Sequence, residues 1–592
     1  MPSRLAAAPD FAAATSIAWA LLAVLLALLV CSAWITPDVY YHLSLGRSVL
    51  ESGDPQPPDR LVARQPGFLN VYWIWQVLTY VVYRLGGPLG LTSLVVALWL
   101  ATAALWADAA GLLRRPALGL PLGLAGVLIF QSRLDPRPEA ASYLLMALQV
   151  RWLSRWDFRG PTRVDRRVAL FFGTTVLWTN VHGYFALAPL LVGARLASAW
   201  SARGTRDEAR PLLLLAGATL AATFVSPFGL GAWKEVFVLG RFLRAMRPAV
   251  MEFSPPLGTF LLVWTVWIFW AAWAATAIVL AARAARRSVS PFAALLALAG
   301  LTLSASAARN MPLLPILAAP LVGQALLAMP ARRAARSSAA VGLAALALSA
   351  WIVQGGFHRS LRSETRFGIG PAEQAYADGA AAYLERIGFR GTVFNDAADG
   401  GYLEFRLPGA RPYMDSRYTD AEPVTEYFRA LREPEAFARL DEQHRFDAVL
   451  LKVSDSPTLV RALLPQPAWR MAYADLHRTL FLRRDGPHAD APSETARLYH
   501  GEDLTERVHG RAAIQWFVIL RELGRRDLLM AALADFGRAP RIPSPLLQVA
   551  LEFAARTGDV ELRARAAALR PRMVALRAKD RDAVDRLLAP PP

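Results

Sequence analysis

The sequence predicts a mainly α-helical, polytopic membrane protein with a C-terminal α/β domain and trailing helices. Three observations predict it. Of 592 residues, 55% are hydrophobic and the mean hydropathy is +0.29, a value soluble chains rarely reach. Apolar runs near the length of a bilayer core recur through the first 356 residues. Charge is unevenly divided: from residue 357 onward there are 35 basic and 33 acidic side chains, before it 30 and 14, for a net +18. That split excludes a nucleic-acid partner, whose footprint would be a basic soluble face. It suits topology signals and an anionic membrane surface.

The first apolar run, 12–35, reads as a retained anchor, because "CSAWITPD" is a poor small-residue cleavage site. It holds Cys31, the sole cysteine, so no intrachain disulfide is possible. Further runs fall at 89–112, 117–131, 138–152, 168–180, 184–199, 211–225, 258–281, 291–307, 311–329 and 338–356. Several are short, which implies broken or protein-buried helices. About eleven crossings with a cytoplasmic N-terminus put the arginine-rich loops inside. These carry Arg114 and Arg115; Arg151, Arg155, Arg159, Arg163, Arg166 and Arg167; Arg203, Arg206 and Arg210; Arg283, Arg286 and Arg287; and Arg332, Arg333 and Arg336. The count requires 72–84, "YWIWQVLTYVVYR", to lie along the outer surface as an aromatic belt. The expected domains are 1–356 in the membrane, 357–490 as an extracytoplasmic α/β unit and 491–592 as helices. Strands are expected at 391–396, 401–407, 411–417, 446–453 and 478–484, with helices at 371–388, 421–444 and 456–464.

The same topology gathers polar motifs on the outer face: "PDVYYH", "SRLDPRPE", "NVHG", "SPFG", "MEFSPP" and "ARNMP". Each alone is ordinary helix punctuation; six on one face suggest a site. Asp38 and His42 are four apart and share a helical face. Asp38 suits a general base for an acceptor hydroxyl, or a plain first-turn acid beside Pro37. His42 suits orienting that acid or binding phosphate. Arg133 and Arg137 lie beside Asp135 and Glu139. They suit a lipid phosphate, or mutual neutralisation as Arg133–Asp135 and Arg137–Glu139. Arg309, between two apolar runs, is the strongest cation, since an intramembrane charge is expensive without a role. Lys234, Arg241, Arg244 and Arg247 lie on an amphipathic stretch, 231–250. Asn180 and His182 interrupt an apolar run and suit a cavity lining or a helix break. Glu139, Glu252 and Asn310 complete the expected substrate-binding set. No P-loop, complete dinucleotide fingerprint or zinc spacing occurs, so no metal or cofactor is expected. In the tail, Asp396, Asp399, Asp415 and Arg417 read chiefly as turn formers.

Taken in order, "PDVYYHLSLGRSVLESG", "RLDPRPE", "LWTNVHGYF", "VSPFGL", "EFSPP", "ARNMPLL" and "GGYLEFRLPGARPYMDSR" resemble a family of large bacterial membrane proteins. Its usual forms read "PDLWWHLRLG", "RPQ", "NLHGGF", "NPYG", "EWQSP", "RNIPLF" and "GGYLIWRLP…DGR". That family looks like part of the GT-C glycosyltransferase superfamily, beside protein mannosyltransferases and lipid A aminoarabinose transferases. The resemblance spans roughly residues 12–450. It implies a multi-pass protein of the bacterial inner membrane with its C-terminal domain outside. It also implies inverting transfer of a sugar from a polyprenyl-phosphate donor to a lipid or glycan acceptor. A first-loop acid would be the catalytic base. Only Asp38 occupies that place; the superfamily more often shows two neighbouring acids, and Val39 follows here. "YYH" replaces "WWH", and "SPFG" replaces "NPYG", so Ser226 inherits no catalytic role. A transporter or binding protein for a lipid-linked glycan, or a scaffold of the same family, shares these features without needing a base.

Overall fold

The computed structural model describes residues 9–63, 68–159, 165–201, 207–245, 251–330, 335–361, 363–372, 374–417, 421–494, 498, 503–576 and 578–589. Arg163, Arg203, Arg206, Arg247, Arg332 and Arg333 lie outside them, as do the side chains of Arg241 and Arg244. The chain divides into two compact units: Met1–Pro57 with Gly67–Ala372, and Pro58–Pro66 with Glu373–Pro592.

The first unit is helical. Its order is α1 (Pro9–Val30), α2 (Asp38–Ser52), α3 (Trp73–Ala109), α4 (Pro116–Phe130), α5 (Glu139–Arg155), α6 (Arg166–Thr179) and α7 (Leu187–Ser201). Then come α8 (Ala209–Ala222), α9 (Leu230–Ala245), α10 (Trp264–Ala285), α11 (Pro291–Ser306), α12 (Leu313–Leu327), α13 (Ala335–Val353) and α14 (Gly356–Ser360). Four stretches among the described residues are long and apolar enough to cross a bilayer: Ala13–Val30, Trp73–Ala109, Trp264–Ala285 and Arg336–Val353. The helices Ala209–Ala222, Pro291–Ser306 and Leu313–Leu327 are apolar but shorter. Within Trp73–Ala109 two helices meet at a kink, in keeping with the separate runs 72–84 and 89–112 of the sequence. Gly87 takes φ 55, ψ −148, a backbone open to glycine, and Pro88 follows.

Local chemistry sets the helix ends. Pro37 precedes α2, Asp38 sits in its first turn, where the helix dipole favours an anion, and Gly53 closes it at φ 71. The linker from α1 to α2 is clamped by returning chain: Ala33 N–H donates to Arg366 O at 2.8 Å, and Trp34 N–H to Gly370 O at 3.0 Å. Helix α2 lies against α3 at Gly46, where a Cβ would sit 2.1 Å from the Gln76 carbonyl oxygen. These two contacts fix where Asp38 can be.

The second unit holds α15 (Asp378–Arg386), β1 (Gly391–Asn395), α16 (Ala397–Arg406), β2 (Ala410–Pro412), α17 (Ala421–Ala430), α18 (Pro434–His444), β3 (Ala448–Lys452), α19 (Pro457–Leu463), β4 (Trp469–Ala474) and β5 (Arg478–Arg483). Its sheet runs β2-β1-β3-β5-β4, with β2, β1 and β3 parallel and the last two antiparallel. Helices α20 (Arg507–Glu522), α21 (Arg526–Phe536), α22 (Ser544–Thr557), α23 (Val560–Ala568) and α24 (Ala578–Leu588) follow and bury their own apolar cluster. Residues 62 and 63 run beside β2: Val62 N–H donates to Pro412 O and Ala63 N–H to Tyr413 O.

The expected strand at 401–407 is instead most of α16. Asp396 caps that helix by accepting the Ala398 N–H, and Gly400 packs where a Cβ would meet the Met414 carbonyl. Successive buried residues, Tyr402, Leu403 and Glu404, do not alternate as a half-buried strand would. Helix 421–444 is two helices, parted before Pro434; 371–388 is helical only over Asp378–Arg386. Strand β4 was not expected, because its pattern is broken by a bulge between Met471 and Tyr473.

Candidate functional site

The site forms where four chain breaks in the first unit meet. Asp38 opens α2. Arg133 ends a 3-10 turn, Gln131–Arg133, and Glu139 begins α5. Glu252 lies in the turn Met251–Phe253 and Arg309 in the turn Ala308–Asn310; Ala308 N–H donates to Ser254 O at 2.8 Å and ties these two turns together. Each of these side chains therefore stands at a helix start or in a short turn between helices.

Arg133 spans two carboxylates, at 2.5 Å from Glu139 Oε1 and 2.6 Å from Glu252 Oε2. Arg309 reaches the same Glu139 Oε1 at 2.5 Å and Glu252 Oε1 at 3.8 Å, and its guanidinium lies 5.3 Å from the Phe253 ring centre. Arg137 stands 3.3 Å from Asp38 Oδ2 and 3.3 Å from Glu252 Oε1, and donates to the Thr36 hydroxyl at 2.7 Å. The network grades from closed to open. The Arg133 and Glu139 side chains are 6% and 5% exposed; Asp38 and Glu252 are 21% and 30% exposed. A ligand would meet Asp38, Arg137, Arg309 and Glu252 first.

Electrostatics hold the cluster charged. Burial disfavours the Glu252 carboxylate, but Arg133, Arg137 and Arg309 outweigh it and keep that group well below the usual carboxylate range. Burial raises the Asp135 carboxyl against the pull of Arg137 and Arg133. Burial likewise lowers His182 to about 4, with Glu139 opposing. His182 is therefore neutral at pH 7. Its Nδ1 lies 3.0 Å from the Ser142 hydroxyl and accepts the Tyr184 N–H at 3.3 Å, so the ring proton belongs on Nε2.

Other expected residues stand close by in different roles. His42 is buried, its ring against Tyr41 and Tyr72, and Tyr72 lies between His42 and His182 at 5.8 and 5.7 Å. Asn180 satisfies a helix break: its amide donates to Val176 O and Val225 O and accepts from the Trp73 indole. Asn310 accepts the Tyr184 hydroxyl at 2.7 Å and donates to Ser306. Lys234 is exposed on α9. Neutralisation does occur, but neither Arg133–Asp135 nor Arg137–Glu139 is among the ion pairs of the described residues. The chain turns at Asp135, whose carbonyl accepts the Arg137 N–H at 2.8 Å, and the two arginines leave that turn for other partners. Thr36, Ser142 and Phe253 also join the network. Thr36 and Phe253 lie beside or inside the polar motifs, whereas Ser142 is one of two serines in α5 and carries no sequence signal.

In the second unit the tail's charged residues are paired. Asp399 and Arg478, 0% and 1% exposed, form a bidentate pair at 2.7 and 3.0 Å. Arg417 bridges Asp415 at 2.6 Å and Asp59 at 3.1 Å. These contacts join strand ends and the 58–63 segment, which is a structural role.

No family description matches the chain, and no curated protein does. Among solved structures, the fold is similar to that of the oligosaccharyltransferase of Archaeoglobus fulgidus, crystallised tethered to an acceptor peptide containing the NVT sequon. The TM-score is 0.50 at 12% identity, over 74% of this chain and 69% of that one. At that identity the likeness is one of fold alone.

Proposed function

We propose that this protein is an inverting membrane glycosyltransferase. It takes a sugar from a polyprenyl-phosphate donor and passes it to a hydroxyl of a lipid or glycan acceptor on the extracytoplasmic face. The observation that carries this reading is the joining of Asp38 to Arg137, and through Glu252 to Arg133 and Arg309. A base and phosphate-binding cations thus share one partly open cluster. Membrane embedding, the GT-C-like fold and a lipid-linked donor are consistent with one another.

In this mechanism Asp38 accepts the proton of the acceptor hydroxyl as its oxygen attacks the anomeric carbon. The bond from that carbon to the phosphate oxygen breaks, and polyprenyl phosphate leaves with the electron pair. Arg309 and Arg137 take up the charge developing on the leaving phosphate. Glu252, the most exposed carboxylate of the cluster, is the one a phosphate would displace. Arg133 and Glu139 stay behind as a rigid floor.

The test is transfer from a panel of undecaprenyl-phosphate sugars by purified wild-type and Asp38→Asn protein. Wild-type transfer that falls at least ~100-fold in the variant supports the reading; undiminished transfer in the variant removes Asp38 from the chemistry. A second reading, a non-catalytic scaffold, is favoured by one observation: all three guanidiniums already hold carboxylates. It predicts no transfer by wild type with any donor and a lower melting temperature for every variant in the network.

A further inference from the structure

A second polar hollow lies at the other end of the same helices. Helix α5 begins at the carboxylate–arginine cluster with Glu139 and ends at this hollow with Arg155, about 24 Å away at 1.5 Å per residue. Helix α11 likewise runs from the hollow at Pro291 to Ser306, which bonds Asn310 near the cluster. The hollow has a volume of about 590 Å³, within the range of small-ligand sites. Its polar lining includes Arg114, Arg155, Arg195, Ser154, Ser198 and Gln324. A neighbouring hollow of about 350 Å³ shares Arg114 and is otherwise mostly apolar, with Leu118, Leu326 and Met329 beside Arg115.

The charges around this end do not balance. Asp108 holds Arg151 at 2.6 Å and Arg155 at 2.8 Å, and Glu208 holds Arg195 and, at 3.8 Å, Arg159. Arg114 and Arg115 engage no carboxylate among the described residues, and the Arg115 Nε is buried without a hydrogen-bond acceptor. Of these six guanidiniums, four share two carboxylates and two engage none among the described residues; of those two, Arg114 lines both hollows and Arg115 the apolar one. At the outer cluster the arginines are matched by acids; here they are not.

We propose that these two hollows, which share Arg114, together bind an anionic phospholipid. Its phosphate sits against Arg114 and Arg115, its polar headgroup in the larger hollow and the start of an acyl chain along Leu118, Leu326 and Met329. Guanidinium forks suit phosphate oxygens, and an apolar trough continuous with them suits a lipid rather than a soluble anion. This site is independent of the transferase reading.

The test is native mass spectrometry of the full-length protein in detergent with equimolar palmitoyl-oleoyl phosphatidylglycerol and phosphatidylcholine. Wild type should retain the anionic lipid about tenfold or more over the zwitterionic one. Arg114→Gln with Arg115→Gln should lose that preference. Arg286→Gln, exposed at the end of α10, should keep it. Equal retention of both lipids by wild type, or an unchanged preference in the double variant, overturns the proposal. Inorganic phosphate that displaces the lipid at equal concentration overturns the lipid assignment in favour of a soluble anion.

Discussion

The guanidinium of Arg137 stands 3.3 Å from the carboxylate of Asp38, while its Nε donates to the Thr36 hydroxyl at 2.7 Å. The arginine is thus held against the very linker that carries the acid. It orients the carboxylate and also occupies it. A phosphate drawing Arg137 toward itself would release Asp38 for an acceptor, so binding of the donor would prepare the base.

Arg137→Gln therefore separates two roles. The variant keeps a donor for Thr36 but loses the cation that faces phosphate. We expect kcat/KM for transfer to fall on the order of 10²-fold, with kcat affected as well as KM. Steady-state kinetics with varied donor reads this directly. A change confined to KM would mean that Arg137 binds the donor without serving the chemical step.

Glu252→Gln should act in the opposite sense on binding. Glu252 contacts Arg133 and Arg137 and reaches Arg309, and arginine charge is what holds it ionised. Removing its charge while keeping its shape loosens its hold on Arg137 and Arg309, the two arginines that would meet the donor phosphate. Donor KM should fall several-fold, as an internal competitor for the guanidiniums is lost. A KM that rises would show instead that Glu252 touches the sugar or positions the arginines.

His182 gives the fold a pH dependence with a definite sign. Its folded pKa, about 4, lies below the ordinary 6.5. Between those values the unfolded chain binds a proton that the folded chain does not. Stability conferred by the neutral ring is thus full above about pH 6.5 and is lost as pH falls toward 4, by up to ~3 kcal/mol. The melting temperature in detergent should drop over that interval. His182→Gln should flatten the drop; an equal slope in wild type and variant would assign it to other groups.

Much of this site was legible because membrane helices make polar residues conspicuous. Asp38, Arg133, Arg137, Glu252 and Arg309 all interrupt apolar sequence, and each stands at a helix break. What could not be read was who pairs with whom. Neighbours in sequence, Arg133 with Asp135 and Arg137 with Glu139, were the natural guess. A turn at 135–137 sends them to partners about a hundred residues away or more, or to the next helix start. The 401–407 segment differs for another reason: aromatic content, Tyr402 and Phe405, describes burial as much as strand, while the Asp396 cap starts a helix and Gly400 lets it pack against the Met414 carbonyl. The kink at Gly87 is written in "GGP", but its direction depends on packing, not on the tripeptide.

Gly46→Ala tests how tightly α2 must sit. The added Cβ would lie 2.1 Å from the Gln76 carbonyl oxygen and 2.9 Å from Tyr80 Cβ, so backbone must move. Overpacking of this kind costs about 1–3 kcal/mol, and the displaced helix carries Asp38 with it. Transfer activity should fall more steeply than thermal stability. Loss of both in proportion would mean that the glycine serves the fold alone.

The Asp399–Arg478 pair sets the last prediction. Both side chains are almost wholly buried, and the guanidinium also donates to the Ala375 carbonyl at 3.2 Å. Taking two charges from water is costly, and their attraction offsets that cost only while both are present. Arg478→Met leaves a buried aspartate alone and should destabilise β1 and β5 by about 3–5 kcal/mol. Asp399→Leu leaves a buried cation and should cost a similar amount. The double variant removes both burdens, so its cost should be well below the sum of the singles. Hydrogen exchange of the β1 and β5 amides in the intact protein measures all three. Strictly additive costs would show that each residue acts through its own packing, and that the pair's charge is incidental to this sheet.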